Sequence, residues 1–183
     1  MSDTQVFEAS PEAKGKAKQF RIISIIAWVI AIAGEIYAIL NLISDDMMTW
    51  LIVAIVIILA LAVTGNILWK KANKLDPASE KEPTRFFIQN QLGAIISAIA
   101  FLPLLILILT NKNISGKTKG IAGSIAGVAL AIAVATGVEL DPASIEKYTE
   151  EIQTQNEAAA NLNINSDAVF WSTAGNKYHA FED

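Results

Sequence analysis

Glu35 is the one formal charge inside four apolar runs, at residues 22–43, 48–69, 86–110 and 121–138. It lies past the middle of the first run, in Ala33-Gly34-Glu35-Ile36-Tyr37. A carboxylate deep in a bilayer costs about 2.5–3.5 kcal/mol on insertion scales, so it must turn toward protein or water. Two chemistries suit such an acid. One is an ion or proton site, which in an oligomer becomes a ring of acids around a pore. The other is a structural hydrogen bond. No Lys, Arg or His lies in any run to complete a relay.

Weaker polar signals sit elsewhere in the runs. The third opens with Gln89, Asn90 and Gln91, then the small residues Gly93, Ala94, Ser97 and Ala98. Gln89, Gly93 and Ser97 share a helix face at i, i+4 spacing. Gln89, Asn90 and Ser97 thus either line a polar vestibule or make interhelical hydrogen bonds in an interfacial turn, the commoner arrangement. Thr64 and Asn66 near the end of the second run have the same two readings. In the fourth run Gly123, Gly127, Ala131 and Ala135 recur every four residues, with Gly120, Ser124 and Val128 beside them. A face of small residues lets another helix approach closely. The expected partner is a helix of the same chain, the alternative a second copy.

Catalytic signatures are missing. There is no Cys, no HExxH motif and no Gly-rich phosphate loop, and the single His is His179. An enzyme is not expected, nor is a metal site or cofactor. The net charge of −4 argues against nucleic acid as a partner.

The elements that would position these residues follow from hydropathy. Each run is at or near the roughly 20 helical residues needed to cross about 30 Å of hydrocarbon. Ala31-Ile32-Ala33 resembles a signal cleavage site, but Asp3, Glu8 and Glu12 precede it and the apolar run continues to Ile43. A retained span is expected. Lys14, Lys16, Lys18 and Arg21 precede the first span; Lys70, Lys71, Lys74, Lys81 and Arg85 follow the second. The first loop, 44–47, carries Asp45 and Asp46, and the third, 111–120, carries Lys112, Lys117 and Lys119. The positive-inside rule then puts the N-terminus in the cytoplasm. Four crossings return the C-terminal tail to that side. If the run at 86–110, interrupted by Gly93 and Pro103, were re-entrant, the tail would be external.

Leu75-Asp76-Pro77-Ala78-Ser79 recurs as Leu140-Asp141-Pro142-Ala143-Ser144, each time after an even-numbered span. Asp before Pro reads as a helix start, arising twice by chance or by duplication of a two-helix hairpin. Trp50, Trp69 and Tyr37 read as interfacial anchors, and Trp28 as a deeper packing residue. In the tail, residues 142–162 read as a helix capped by Asp141. Ile145, Tyr148, Ile152, Gln155, Ala159 and Leu162 form a seam for a short coiled coil or for docking on a membrane domain or partner.

Val169-Phe170-Trp171-Ser172-Thr173 and Lys177-Tyr178-His179-Ala180-Phe181 flank Ala174-Gly175-Asn176 and read as a β-hairpin. The stretch 169–179 resembles the opening of a small C-terminal module in Gram-positive bacterial membrane-anchored and secreted proteins of unknown function, typically Val-Tyr-Trp-Thr-x-x-Gly-x-x-Tyr-His. Trp171, Gly175, Tyr178 and His179 match it; Phe170 and Ser172 stand in for its Tyr and Thr. The module continues to cysteines, which implies a metal-binding or cysteine-stabilised knuckle. This chain ends at Asp183, where the family's first cysteine would come, which reads as a truncation. A lone His179 then reads as a structural aromatic, and the resemblance covers about 15 of 183 residues.

The expectation is an all-α membrane protein, a four-transmembrane-helix bundle with a short C-terminal helix and a terminal β-hairpin. Residues 1–21 form a cytoplasmic tail, 22–138 the bundle and 139–183 the appendage. It is expected in the plasma membrane, as a scaffold or sensor whose tail meets a protein partner through Phe170, Trp171, Tyr178 and His179, with a homo-oligomer allowed. The alternative is a small oligomeric channel or transporter working through Glu35.

Overall fold

The computed structural model describes residues 6–161, 170–171 and 178–179. Five helices appear in order: α1 Pro11–Asn41, α2 Met48–Leu75, α3 Pro83–Thr110, α4 Gly116–Gly137 and α5 Ile145–Asn161. At 1.5 Å per residue even α4, with 22 residues, is about 33 Å long. All four of α1–α4 are long and apolar enough to cross a membrane. The chain is a multi-pass membrane protein.

Each helix outruns the apolar stretch that announces it. α1 begins at Pro11, because Ser10 accepts from the Ala13 N–H and Pro11 occupies the first turn, where its missing N–H costs nothing. Residues 11–21, expected as a tail, are therefore helical. Ser115 caps α4 in the same way by accepting from the Thr118 N–H. Hydropathy marks where lipid is met; caps mark where the helix ends.

The chain divides into two units, Glu8–Ser144 and the pair of segments Met1–Phe7 and Ile145–Asp183. In the larger unit α2 packs on α1, α3 and α4, and α3 also packs on α1 and α4. Among the described residues α1 and α4 do not meet, so they occupy opposite corners of the bundle. They bring mainly alanines to the core, Ala31 and Ala38 from one and Ala122, Ala126 and Ala133 from the other. α2 and α3 fill the space between with Leu51, Ile55, Ile58, Phe101, Leu104 and Ile108. Large apolar side chains such as Ile26, Val29, Leu40, Val56, Ile57 and Val128 point outward. In water such a surface would be an aggregation hazard; in a bilayer it is solvated.

Contacts at both ends order the crossings. After α1, the Asp45 carboxylate accepts from the Ser115 N–H at 3.0 Å and its hydroxyl at 2.9 Å, just before α4. After α2, Ala78 forms a parallel β-bridge with Ser144, which follows α4. α3 joins the second end to the first, so it traverses the whole bundle. Within the bundle α3 does not turn back on itself, as a re-entrant segment would. Ser144 thus lies at the end where Arg21 of α1 pairs with Asp76.

The Leu-Asp-Pro-Ala-Ser echo does not start helices. Asp76 closes α2, its N–H bonded to the Ala72 carbonyl, and α3 starts only at Pro83. The second copy is likewise over before α5 begins at Ile145, three residues later than expected. Proline disfavours helical backbone in the residue before it, and Asp76 is extended at φ −143° and ψ 77°. The two copies lie side by side, with Ala78, Ala143 and Ser144 buried.

In the smaller unit the Phe7 ring meets Tyr148 edge-on at 4.9 Å, and the Phe7 N–H donates to Thr149 Oγ1. Phe170 pairs with His179 and Trp171 with Tyr178 in a two-rung antiparallel contact. Two rungs do not make the expected hairpin, whose turn at Ala174-Gly175-Asn176 lies outside the described residues. So do Leu162 of the α5 seam and the side chains proposed for partner capture, those of Phe170, Trp171, Tyr178 and His179.

Candidate functional site

The buried polar side chains of the spans fall at three levels of the bundle. Glu35 is 3% exposed, turned from α1 toward α3, where a carboxylate oxygen accepts from the Leu104 N–H at 3.2 Å. Leu104 follows Pro103, the one proline inside a helix among the described residues. Proline removes an N–H from the ladder and pushes on the carbonyl four residues back, loosening the helix locally. A side-chain acceptor from the neighbouring helix meets the backbone at that point.

About two turns away along the bundle lies a second polar centre on Asn66 of α2, since Trp28 and Ser97 are each seven residues from Glu35 and Leu104. Its amide nitrogen is within 3.0 Å of Ser97 Oγ on α3, 2.9 Å of the Ala133 carbonyl and 3.2 Å of Thr136 Oγ1 on α4. Its oxygen accepts from the Trp28 indole N–H of α1 at 3.2 Å. One side chain therefore touches all four helices, which is possible because α2 packs on each of the others. Trp28 stacks at a tilt on Trp69, with centroids 5.2 Å apart, and lies over Gly65 where any Cβ would strike its ring.

Beside Asn66 the backbones of α3 and α4 come together. A Cβ on Gly137 would run into the backbone of Gly93 and Ala94. A Cβ on Gly93 would lie 3.2 Å from Gly137 Cα and 2.9 Å from Asn66 Oδ1. The stripe expected to make this contact is rotated away from it. Gly123 is buried against Leu109, but Gly127 is half-buried with open space where a Cβ would go, and Ala131 and Ala135 are exposed. The buried stripe is Thr118, Ala122, Ala126, Ala129, Ala133 and Gly137. Alanine suffices for most of that contact, so an every-fourth-residue count centred on glycine picked the neighbouring face.

At the cation-rich end a third layer ties loops to helices. Trp69 Nε1 and Asn73 Nδ2 both donate to the Gln89 carbonyl, at 2.7 and 2.6 Å. Gln89 Nε2 donates to the Asp76 carbonyl, which also accepts from Arg21. Lys70 donates to the Val138 carbonyl, with Glu139 3.8 Å away. Asn90 donates to Phe86 O within its own helix, while Oδ1 of Asn90 and of Asn73 is buried without a partner among the described residues. Gln89, Asn90 and Ser97 are thus all buried, and Gln89 and Ser97 are engaged between helices. Trp69 is a packing and hydrogen-bonding residue; Trp50 and Tyr37 are exposed on the bundle surface.

At the opposite end the Asp45 carboxyl is held below the ordinary aspartate value by the Thr118 hydroxyl, then by the N–H and hydroxyl of Ser115. Among the described residues no group of three or more His, Cys, Asp or Glu is placed to hold a metal. No known family, curated protein or solved structure matches the chain. Any reading of function therefore stands on this geometry.

The partners of Glu35 and Asn66 were not legible in the sequence. The signal for Asn66 was an amide within an otherwise apolar run. What was missing was the rotation that aims Ser97, Thr136 and Trp28 at it.

Proposed function

We propose that the protein is a scaffold or sensor of the plasma membrane, with a four-helix bundle anchoring an interaction segment at its C-terminus. The observation that supports this best is the inward turn of its intramembrane polar groups. Glu35, Asn66, Ser97 and Thr136 bond to neighbouring helices within one copy. Such bonds hold a bundle together at about 0.6 kcal/mol each on average. A platform uses polar groups in this way. A pore would aim Glu35 outward, toward a shared axis between copies.

The segment left to meet a partner is 145–183, for which the aromatic residues Phe170, Trp171, Tyr178 and His179 are the proposed contacts. The resemblance of 169–179 to the Gram-positive module is consistent with a bacterial membrane. The charge balance supports a cytoplasmic N-terminus and a cytoplasmic tail. If the protein is a homo-oligomer, the outward Gly127, Ala131 and Ala135 offer a second copy a close-packing face.

Reconstitution separates this reading from a Glu35-dependent transporter. Wild-type protein in liposomes is expected to pass protons and alkali cations no faster than protein-free vesicles. Flux above that background, abolished by Glu35→Gln, would replace the scaffold with a transporter.

A further inference from the structure

At the cation-rich end a cavity of about 620 Å³ lies between Arg21 of α1, Trp69 of α2 and the first turns of α3. Its wall is graded. α3 contributes Thr84 and Arg85 at the mouth, then Ile88 and Leu92, each one turn or about 5.4 Å deeper. Gln89 also lines it, its side-chain N–H held by the Asp76 carbonyl, and apolar Ile22, Phe87 and Ile88 are exposed on the lipid-facing surface at this end.

The two guanidiniums differ in how they are held. Arg21, 24% exposed, is fixed by the Asp76 carboxylate and backbone carbonyl, both at 2.8 Å. A guanidinium has five N–H donors, so two bonds leave others for a ligand. Arg85 is 62% exposed, with one 3.2 Å contact to Glu82 in its own helix. Such a surface pair is worth little, so an anion can take Arg85 from it. Trp69 forms a rigid flank, its N–H held by the Gln89 carbonyl.

We propose that this cavity binds an anionic phospholipid, its phosphate between Arg21, Arg85 and the Thr84 hydroxyl and its first acyl methylenes against Ile88 and Leu92. A soluble anion would gain nothing from the apolar inner wall. A zwitterionic lipid would bring its cation toward the two guanidiniums. The same end carries Lys70, Lys71, Lys74 and Lys81, and a basic end draws anionic headgroups to the leaflet it meets. The inference rests on the bundle lying in a bilayer and is independent of what the tail does.

The test is native mass spectrometry of the full chain in detergent, titrated with phosphatidylglycerol or phosphatidylcholine as probe. Phosphatidylglycerol is expected to bind more tightly, by about fivefold or more. Arg85→Gln is expected to erase most of that preference without changing the melting temperature. Ile88→Trp, which fills the cavity, is expected to weaken both lipids, and Lys119→Gln at the opposite end to change neither. Glycerol phosphate is expected not to compete. Equal affinity for the two lipids, an unchanged preference in Arg85→Gln, or displacement by glycerol phosphate would overturn the proposal.

Discussion

The Glu35 carboxylate accepts from the Leu104 N–H at 3.2 Å, one residue beyond Pro103, so the one acid in the spans supports the helix that carries the proline. Glu35→Gln keeps a carbonyl acceptor of the same length and is expected to cost less than about 1 kcal/mol. Glu35→Leu leaves the N–H without its cross-helix acceptor and is expected to cost about 1–3 kcal/mol. Thermal melting of the detergent-solubilised protein distinguishes them. Equal losses in the two variants would mean that the charge, and not the hydrogen bond, matters.

Asn66 joins four helices through one amide. Asn66→Leu removes bonds to α1, α3 and α4 together and is expected to destabilise the bundle by about 2 kcal/mol. Thr64 is exposed and, among the described residues, bonds only the Ala60 carbonyl of its own helix. Thr64→Val is therefore expected to stay within about 0.5 kcal/mol of wild type. Unfolding of both variants in mixed micelles provides the comparison.

Two glycines of α4 are expected to respond oppositely to the same change. Gly137→Ala meets the backbone of Gly93 and Ala94 and should destabilise by about 1–3 kcal/mol or prevent folding. Gly127→Ala enters open space and should gain up to about 1 kcal/mol from reduced backbone freedom in the unfolded chain. A loss at Gly127 measured only at high protein concentration would instead reveal a second copy packed there.

Asp45 makes the loop contact pH-dependent. Its folded pKa lies below the unfolded value of 3.8, chiefly through the Thr118 hydroxyl and then through Ser115. A depressed carboxyl pKa contributes stability that is complete above the unfolded value and lost as pH falls through the folded one. Hydrogen exchange at the Ser115 amide is therefore expected to accelerate relative to the intrinsic rate below about pH 3.8. In Asp45→Asn that extra acceleration should be absent.

The number of spans and their apolar surface were legible because hydropathy is a local property of the chain. So was the small-residue character of α4, but not its rotation, since Ala122, Ala126 and Ala133, nearly as small as the glycine-centred stripe, are the ones in the core. Asp76-Pro77 and Asp141-Pro142 read as helix starts, yet the copies lie beside each other with Ala78 bridged to Ser144. That pairing depends on two segments 66 residues apart in sequence meeting at one end of the bundle, which no local pattern encodes. Glu35 was legible as a residue needing a partner; that the partner is a backbone N–H beside Pro103 required the packed structure.

The most direct test of the scaffold reading compares crosslinked partners of the full chain and of a chain ending at Ser144, both in native membranes. A defined protein is expected on the full chain at constant stoichiometry and missing from the shortened one, which should keep the melting temperature and size of the intact bundle. The same partner on both chains, or no defined partner on the full chain, would contradict the account.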